Sequence, residues 1–391
     1  MPTSPADLRS LRASVLVTVL GLAAASGACG ARSELLSSGS PAGTDAGGAG
    51  SGASGGSGDA GGAGGAGGAA CGALGASCAA DIDCCELPCI QGTCAAPPPP
   101  CAGDVGNVIL MSGLTDPYSM DGDPTWLFVG QLEAGKDLIR VPKAGGPSEV
   151  HVYSVDHADF IVVQQKTVFF ASEGAVSSVP AAGGAPSVLA GAFGPAGFAV
   201  TNDAIFLAAY LAQDLVRIDR ETLATDVLAS GLSGIYRVAL AQGDVFFSSF
   251  LPGLHRYGVA TGALDVIAPE LGSPRAVLAF HDDVYFTVPS SQRIYRLPPG
   301  SESPELVVDL AALGVFPEAL VTDGEHLYTT LVTGGGPGLV VRAPLDGGQP
   351  EVVVADAGPS PSALVVDKAC VYWTDRTSGT VFRARKSPGP P

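Results

Sequence analysis

The stretch that decides the fold is residues 363–385, which read ALVVDKACVYWTDRTSGTVFRAR. Three apolar runs rich in β-branched and aromatic residues follow one another here, separated by short polar turns. Such runs predict strands, because branched and aromatic side chains pack well on a pleated sheet. A valine-rich run such as EVVV at residues 351–354 follows the third strand of the preceding unit. The pattern therefore predicts a sheet of four short strands.

The same pattern recurs with a period of about 40 residues. The central strand returns seven times, with its middle residues 42, 37, 40, 39, 43 and 44 positions apart. Those middle residues are Leu127, Phe169, Phe206, Phe246, Tyr285, Tyr328 and Tyr372. The following strand carries Arg in six of the units, at Arg140, Arg217, Arg256, Arg296, Arg342 and Arg383. Four strands per repeat of this length indicate the blade of a β-propeller.

We therefore predict an all-β chain whose main body, residues 101–386, is a β-propeller of about seven four-stranded blades. A single blade cannot bury both faces of its sheet, so the aromatic stripe is interpreted as packing between blades rather than as a cofactor site. The last unit lacks a fourth strand, and residues 107–111 (NVILM) precede the first unit without a blade of their own. We expect this segment to complete the last blade.

Residues 372–375 read YWTD, the motif that names the YWTD propellers, and the chain is also similar to the NHL group. The resemblance covers roughly residues 106–386, and one unit carries the full motif. Those families usually have six blades, whereas this chain has seven units. The resemblance implies a propeller and transfers no function.

The N-terminus predicts export. Arg9 and Arg12 precede an apolar run at residues 13–25, which is too short to span a bilayer as a mature helix. Residues 26–29 read SGAC and resemble the lipobox of bacterial lipoproteins, which implies that residues 1–28 are a signal peptide and that Cys29 is acylated. Ordinary cleavage nearby, leaving Cys29 as a free thiol, is the alternative. Position 30 is Gly rather than Asp, so the resemblance implies the cell envelope, at the outer membrane or the cell surface.

Between Cys29 and the propeller the composition changes twice. Residues 29–70 are dominated by Gly, Ala and Ser and predict a flexible tether. Residues 71–100 form a small Cys-rich module followed by four prolines, and residues 387–391 are a short tail. Clustered cysteines persist as disulfides in oxidising compartments. A zinc site is the rival interpretation, but it usually requires paired Cys-x-x-Cys units or nearby histidines.

The spacing of six cysteines in this module, with Cys84 and Cys85 adjacent, resembles knottin-type cystine-knot peptides. The resemblance implies a disulfide-rich module with the pairs Cys71–Cys85, Cys78–Cys89 and Cys84–Cys94. Six cysteines allow fifteen connectivities, so the pairing depends on the resemblance alone.

Two cysteines remain, Cys101 and Cys370. Cys370 begins the second strand of the last blade, and Cys101 precedes the segment expected to complete that blade. Closure brings them near each other, so we predict a Cys101–Cys370 disulfide. The alternative is a buried free thiol at Cys370, with Cys101 paired inside the Cys-rich module.

The net charge of −18 argues against nucleic acid as a partner, because a phosphate backbone would be repelled. The expected partners are the membrane, through the N-terminal lipid, and a protein or glycan on one face of the propeller. That face carries the loops from second to third strands and from fourth strands to the next blade, and we call it the loop face.

Ligand-binding candidates fall into two groups on the loop face. Tyr118, Asp159, Arg237, Arg275 and Glu318, with Gly197 and Ser362, are expected where the innermost strands begin, around the mouth of the channel. Tyr210, Phe250 and Phe316 are expected in loops, as exposed aromatic anchors. The alternative is that the charged residues form ion pairs around the channel while the aromatic residues fill the loops.

No catalytic, metal or cofactor site is predicted. The five histidines lie in different units and show no ligand spacing, and arginines at the channel mouth would repel a divalent ion. Three hypotheses therefore stand: a surface binding or scaffold protein, an extracytoplasmic propeller enzyme of lactonase or lyase type acting on a carbohydrate, and a structural envelope component.

Overall fold

The computed structural model describes residue 101 and residues 103–386 apart from 156, 173 and 192, together with two short strands, β1 (Cys89–Ile90) and β2 (Thr93–Cys94). These two strands pair antiparallel, with Cys89 opposite Cys94. The predicted lipidation site Cys29 and the cysteines at positions 71, 78, 84 and 85 lie outside the described residues. The pairings implied for the Cys-rich module therefore stay predictions.

Seven sheets form the propeller, and in each the strands lie side by side from the channel outward. Blade 1 consists of β4 (Pro117–Gly122), β5 (Trp126–Gln131), β6 (Lys136–Pro142) and β7 (Glu149–Val155). Blade 2 consists of β8 (Phe160–Gln164), β9 (Thr167–Ser172), β10 (Ala175–Pro180) and β11 (Ser187–Gly191). Blade 3 consists of β12 (Pro195–Val200), β13 (Ala204–Ala209), β14 (Asp214–Asp219) and β15 (Thr225–Ala229). Blade 4 consists of β16 (Val238–Ala241), β17 (Asp244–Phe247), β18 (Leu254–Tyr257) and β19 (Leu264–Ile267).

The remaining blades follow the same order. Blade 5 consists of β20 (Val277–Phe280), β21 (Asp283–Val288), β22 (Arg293–Leu297) and β23 (Glu305–Asp309). Blade 6 consists of β24 (Val315–Pro317), β25 (Val321–Thr322), β26 (His326–Thr333), β27 (Leu339–Pro344) and β28 (Glu351–Val354). Its inner strand is interrupted, since β24 and β25 both pair with β26. Short 3-10 helices lie at Pro269–Leu271 and Ala311–Leu313.

Blade 7 closes the ring. It contains β29 (Pro361–Val366), β30 (Cys370–Asp375) and β31 (Thr380–Arg385), and its outer strand is β3 (Val108–Met111) from the start of the propeller. Val108 lies opposite Arg383 in this pairing. The predictions of seven four-stranded blades and of closure by the N-terminal strand are confirmed.

The core lies between blades, as the aromatic stripe predicted. Successive side chains of a strand point to opposite faces of its sheet. In β5, Phe128 therefore packs in the cluster shared with blade 2, whereas Leu127 and Val129 pack in the cluster shared with blade 7. In β17, Phe246 packs toward blade 5. Each blade is held by its neighbours on both faces.

The YWTD motif is structural. Tyr372 donates to Asp367 Oδ2 at 2.9 Å, and Trp373 Nε1 donates to the carbonyl of Ala357 at 2.9 Å. Thr374 Oγ1 accepts the backbone N–H of Ala363 at 3.0 Å, and Asp375 carboxylate oxygens accept the N–H groups of residues 360 and 378. All four side chains are buried in blade 7, so none of them is offered to a ligand.

Five of the six recurrent arginines pair with acids on the outer strands of their own blades. In five blades the Arg and an acid nine residues later lie directly opposite in the strand register: Arg140 and Glu149, Arg217 and Asp226, Arg256 and Asp265, Arg296 and Glu305, Arg342 and Glu351. Each of these pairs forms a salt bridge. In blade 7 the partner of Arg383 is Asp104.

Candidate functional site

The residues predicted around the channel mouth lie at the inner ends of the blades. Tyr118, Gly197 and Ser362 are inside the inner strands β4, β12 and β29. Asp159 and Arg237 directly precede β8 and β16, and Arg275 lies two residues before β20. Glu318 occupies the interruption between β24 and β25.

Buried hydroxyl groups position the backbone at this mouth. Ser248 Oγ accepts the N–H of Arg237, Thr287 Oγ1 accepts that of Ala276, and Thr330 Oγ1 accepts that of Ala319. The donor and the acceptor are 11 residues apart in each case, so the contact repeats from blade to blade. It fixes the chain at Arg237, beside Arg275 and beside Glu318.

Two tyrosines from different blades meet at the channel mouth. The hydroxyl groups of Tyr118 and Tyr236 hydrogen-bond to each other. Tyr118 belongs to blade 1, and Tyr236 precedes the inner strand of blade 4, so the contact crosses a ring of seven blades. Burial raises the pKa of Tyr118 well above its ordinary value, and the neighbouring Tyr236 adds to the rise while Arg237 and Arg275 oppose it. Tyr118 therefore stays protonated at neutral pH.

Arginines surround the tyrosine pair. The guanidinium carbon of Arg237 lies 4.4 Å from the ring centre of Tyr236 and 4.9 Å from that of Phe160. Arg237 also donates to the carbonyl of Ala196, in blade 3, and is 2% exposed. Such stacking of a desolvated guanidinium on aromatic rings is stabilising. Arg237 is therefore packed at the mouth through aromatic stacking and a backbone hydrogen bond, whereas the alternative interpretation expected an ion pair.

The remaining charges are paired across blades. Arg275 donates to Glu318 at 2.8 and 3.1 Å, joining blades 5 and 6. Arg376 pairs with Asp116 and stacks over the Tyr118 ring, with 4.9 Å to its centre. The predicted Arg275 and Glu318 therefore form one ion pair. Asp159 lies at the start of blade 2, apart from that pair.

A pocket of about 440 Å³ opens on the loop face beside the tyrosine pair, between blades 4 and 5. Its lining residues come from loops at the ends of these blades: Tyr236, Ser249, Phe250, Gly272, Ser273, Pro274, Arg275, Pro289 and Ser290. Its volume is in the range of small-molecule sites. The pocket contains two of the residues predicted from sequence, Arg275 and Phe250. We call it the loop-face pocket.

Phe250 is the aromatic anchor of the loop-face pocket. The residue is 53% exposed, yet its ring is held in place. A Cβ atom at Gly234, where φ is +67°, would lie 2.5 Å from the ring, so Phe250 packs directly on the glycine backbone. The Tyr210 ring contacts Phe250 edge-on, with 5.9 Å between centres. Tyr210 thus supports Phe250.

Two further residues occupy the rim position of Phe250 in adjacent blades. Leu211 packs on Gly194 in blade 3, and Ser290 lies against Gly272 in blade 5, as Phe250 lies against Gly234 in blade 4. Leu211 is 72% exposed and was missed by sequence reasoning, which selected aromatic residues. Position in the repeat could have identified it: Leu211, Phe250 and Ser290 each lie four or five residues after the middle residue of their central strand. Phe316, predicted in a loop, lies in β24 and outside the pocket.

Ser249 and His255 form a hydrogen bond under the pocket, with Oγ and Nε2 2.9 Å apart. Burial lowers the pKa of His255, so the ring is neutral at pH 7. Nucleophilic pairs of this kind need a third group that orients the base. The other ring nitrogen, Nδ1, is buried and has no hydrogen-bond partner among the described residues. Ser249 also accepts the N–H of Leu251 at 3.0 Å, so the pair fixes the loop that carries Phe250.

Within the described residues, no group of three or more His, Cys, Asp or Glu side chains is arranged to hold a metal ion. The described part of the chain also contains no helix long and apolar enough to cross a membrane.

Comparisons with known proteins define the fold. No family model matches the chain, and no curated protein matches it in sequence. Its structure matches 1131 chains of known structure. Virginiamycin B lyase from Staphylococcus aureus, solved as a catalytically inactive variant with quinupristin, aligns with a TM-score of 0.58 and 13% identity, over 71% of this chain and 97% of that chain.

Two other similar structures belong to different kinds of protein. The computationally designed protein Ika8 aligns with a TM-score of 0.54 and 11% identity, over 71% of this chain and 98% of that chain. The extracellular domain of a hybrid two-component system from B. thetaiotaomicron aligns with a TM-score of 0.55 and 12% identity, over 73% of this chain and 41% of that chain. Similarity at these identities shows the β-propeller fold alone, because one fold serves many functions.

Proposed function

We propose that this chain is an exported, lipid-anchored envelope protein whose propeller binds a small ligand in the loop-face pocket. The observation that carries the proposal is the exposed Phe250 ring, held on Gly234 and Tyr210 at the edge of a 440 Å³ pocket. An apolar ring fixed in water favours a ligand that covers it.

Rigidity supports a binding role. Ser249 is bonded to His255 and to Leu251, and Ser273 Oγ donates to the carbonyl of Phe250 at 3.1 Å. Both loops are thereby joined to each other and to the blade beneath. A preformed pocket loses little conformational entropy when a ligand binds.

Sequence features support the proposed lipid anchor at Cys29 and the proposed envelope location. The positive and apolar segments before Cys29, the small residues beside it and the long Gly-rich segment after it agree with a propeller held away from a membrane by a tether. The intact mass of the mature protein tests this part: an acylated N-terminal Cys29 agrees with it, and an unacylated N-terminus elsewhere contradicts it.

No arrangement of side chains among the described residues supports an enzymatic role. The Ser249–His255 pair has no orienting carboxylate among the described residues, and the similarity to a lyase extends to the fold alone. We therefore propose binding without catalysis.

A thermal-shift screen of a metabolite library against the full chain tests the binding site. We expect compounds that raise the melting temperature of the wild type and leave the Phe250→Ala variant unshifted. Phe316→Ala is the matched control, because Phe316 is also an exposed aromatic residue but lies outside the pocket. Compounds that shift all three proteins equally, or the absence of any Phe250-dependent compound, would contradict the proposal.

A further inference from the structure

Arg275 is a lining residue of the loop-face pocket, and Glu318, which does not line the pocket itself, is its ion-pair partner. Arg275 Nε and Nη2 both donate to the same oxygen of Glu318, Oε2. This pair therefore leaves Nη1 as a donor and Oε1 as an acceptor that its two hydrogen bonds do not use. A ligand that reaches the pair meets hydrogen-bonding groups of both kinds in one place.

The ion pair also determines which charges the pocket accepts. A cation gains little from the pair, because the Arg275 guanidinium offsets the attraction of the Glu318 carboxylate. An anion gains little from that guanidinium, because Glu318 lies 2.8 Å away and compensates its charge. A purely apolar ligand would take the ion pair out of water without replacing the lost hydrogen bonds, which is costly.

The apolar part of the pocket is formed by the Phe250 ring and two prolines. The Phe250 ring packs on Gly234 and meets Tyr210 with its edge, and about half of its surface is exposed. Pro274 and Pro289 add apolar surface, and the Ser290 hydroxyl lies at the rim. The pocket thus offers an apolar ring for C–H groups and polar side chains for hydrogen bonds.

We propose that the loop-face pocket binds a neutral carbohydrate, with the C–H face of a pyranose ring stacked on Phe250 and its hydroxyl groups bonded to Arg275 and Glu318. A sugar hydroxyl both donates and accepts, which matches an adjacent donor and acceptor. This inference rests on the proposed function, since it names the ligand class of the same pocket.

Saturation-transfer-difference NMR with the full chain tests the ligand class. The probes are the methyl pyranosides of glucose, galactose and mannose, with glucuronate as the anionic analogue, glucosamine as the cationic analogue and cyclohexanol as the ring without the polyol. We expect at least one methyl pyranoside to receive saturation at its ring C–H protons and to bind more tightly than the charged analogues and cyclohexanol. Phe250→Ala should weaken that binding roughly tenfold, and Phe316→Ala should leave it unchanged.

Glu318→Gln provides a second, independent readout. This variant keeps a hydrogen-bonding side chain but removes the charge that compensates Arg275. The preference should therefore move from the neutral sugar toward glucuronate by several-fold, whereas Glu325→Gln, at an exposed site in the turn between β25 and β26, should not change it.

The outcomes separate the two proposals. If the metabolite screen finds Phe250-dependent ligands but only cyclohexanol or a charged probe binds here, the carbohydrate assignment is overturned and the binding pocket stands. If sugars bind equally to wild type and Phe250→Ala, the site itself is overturned. If none of the sugars binds while other Phe250-dependent ligands exist, the carbohydrate assignment is again overturned.

Discussion

His255 shows how a single residue can support the pocket. Its ring is buried, stacks on Phe247 with 5.1 Å between centres and holds Ser249 in the loop that carries Phe250. Burial disfavours the charged form and lowers the pKa of His255. Burial also lowers the pKa of His151, with the charge of Arg140 acting in the same direction.

These two histidines predict a pH dependence of stability. In the unfolded chain a histidine binds a proton below pH 6.5, whereas the folded chain binds it only at lower pH. The unfolded state therefore takes up more protons in that window, and the free energy of unfolding should fall as the pH drops below about 6.5. Urea unfolding between pH 7.5 and 5.5 should show a shallower dependence for His255→Gln. An unchanged slope would show that His255 does not contribute.

Asp323 acts outside this window. Burial opposes its ionisation, but hydrogen bonds from Lys386, from the backbone of His326 and Glu325 and from Tyr328 outweigh burial and lower its pKa to about 2. Its stabilising effect is present above its ordinary pKa of 3.8 and is lost as the pH falls from there toward 2. The contributions of the two histidines and of Asp323 to stability can therefore be measured in different pH ranges.

At the scale of elements, the Arg–acid pairs between third and fourth strands differ in burial. Arg256 and Asp265 form a pair at 2.8 Å on the surface, and Arg256 is 22% exposed in its side chain. The Arg383 side chain is 6% exposed, pairs with Asp104 and also donates to the carbonyl of Lys143 in blade 1 at 2.6 Å. The same repeat position thus serves a surface contact in one blade and a closing contact in another.

We predict that Arg383→Met destabilises the protein by about 3 kcal/mol, because Asp104 and the Lys143 carbonyl lose a buried partner. Arg256→Met is the matched control, and we expect it to cost at most about 1 kcal/mol, since surface ion pairs contribute little. Urea unfolding of the two variants measures both values. Equal losses would contradict the assignment of Arg383 to ring closure.

A second contact repeats where blades 6, 7 and 1 meet. Lys386 of blade 7 lies 2.6 Å from Asp323 and over the Tyr328 ring of blade 6. Lys143 of blade 1 lies 3.8 Å from Asp367 and over the Tyr372 ring of blade 7. Each lysine therefore joins its own blade to an acid and a tyrosine of the preceding blade. These contacts reinforce the part of the ring where the chain ends meet.

At the scale of the whole molecule, closure depends on β3, an outer strand that comes from the other end of the propeller. Cys101 precedes it and Cys370 begins β30 of the same blade. The structure places their Cα atoms 6.0 Å apart, as disulfide partners 269 residues apart in sequence. The Cα separation is in the range that a disulfide requires. We propose that the bridge forms in the exported protein.

We predict that the Cys101→Ser, Cys370→Ser double variant unfolds at a lower temperature. A cross-link over so long a loop is worth about 5 kcal/mol in the chain-entropy model, and measured effects are typically 2–4 kcal/mol. Hydrogen exchange should become faster in β3, while β7, an outer strand without such a link, serves as the control. Non-reducing peptide mapping provides the direct check: an alkylatable Cys370 in the unfolded, unreduced protein would disprove the bridge.

Local pattern and repetition were enough to predict the architecture. Strand propensity and alternate burial are properties of short segments, and a period of about 40 residues repeated seven times leaves one way to bury both faces of each sheet. The closing strand could be predicted for the same reason, because residues 107–111 had no blade and the last blade had no fourth strand. The sequence by itself also predicted that Phe250 lies in a loop and Arg275 near the start of an inner strand, since such positions can be placed within a repeat.

Only the tertiary structure decided how these residues combine. Tyr118 and Tyr236 meet across the channel, Arg275 pairs with Glu318 of the next blade, and a pocket opens between blades 4 and 5. The physical reason is that such contacts join different blades, and the distance between blades is determined by closure of the ring rather than by any spacing in the sequence. For the same reason Tyr210 became a support and Leu211 an exposed rim residue.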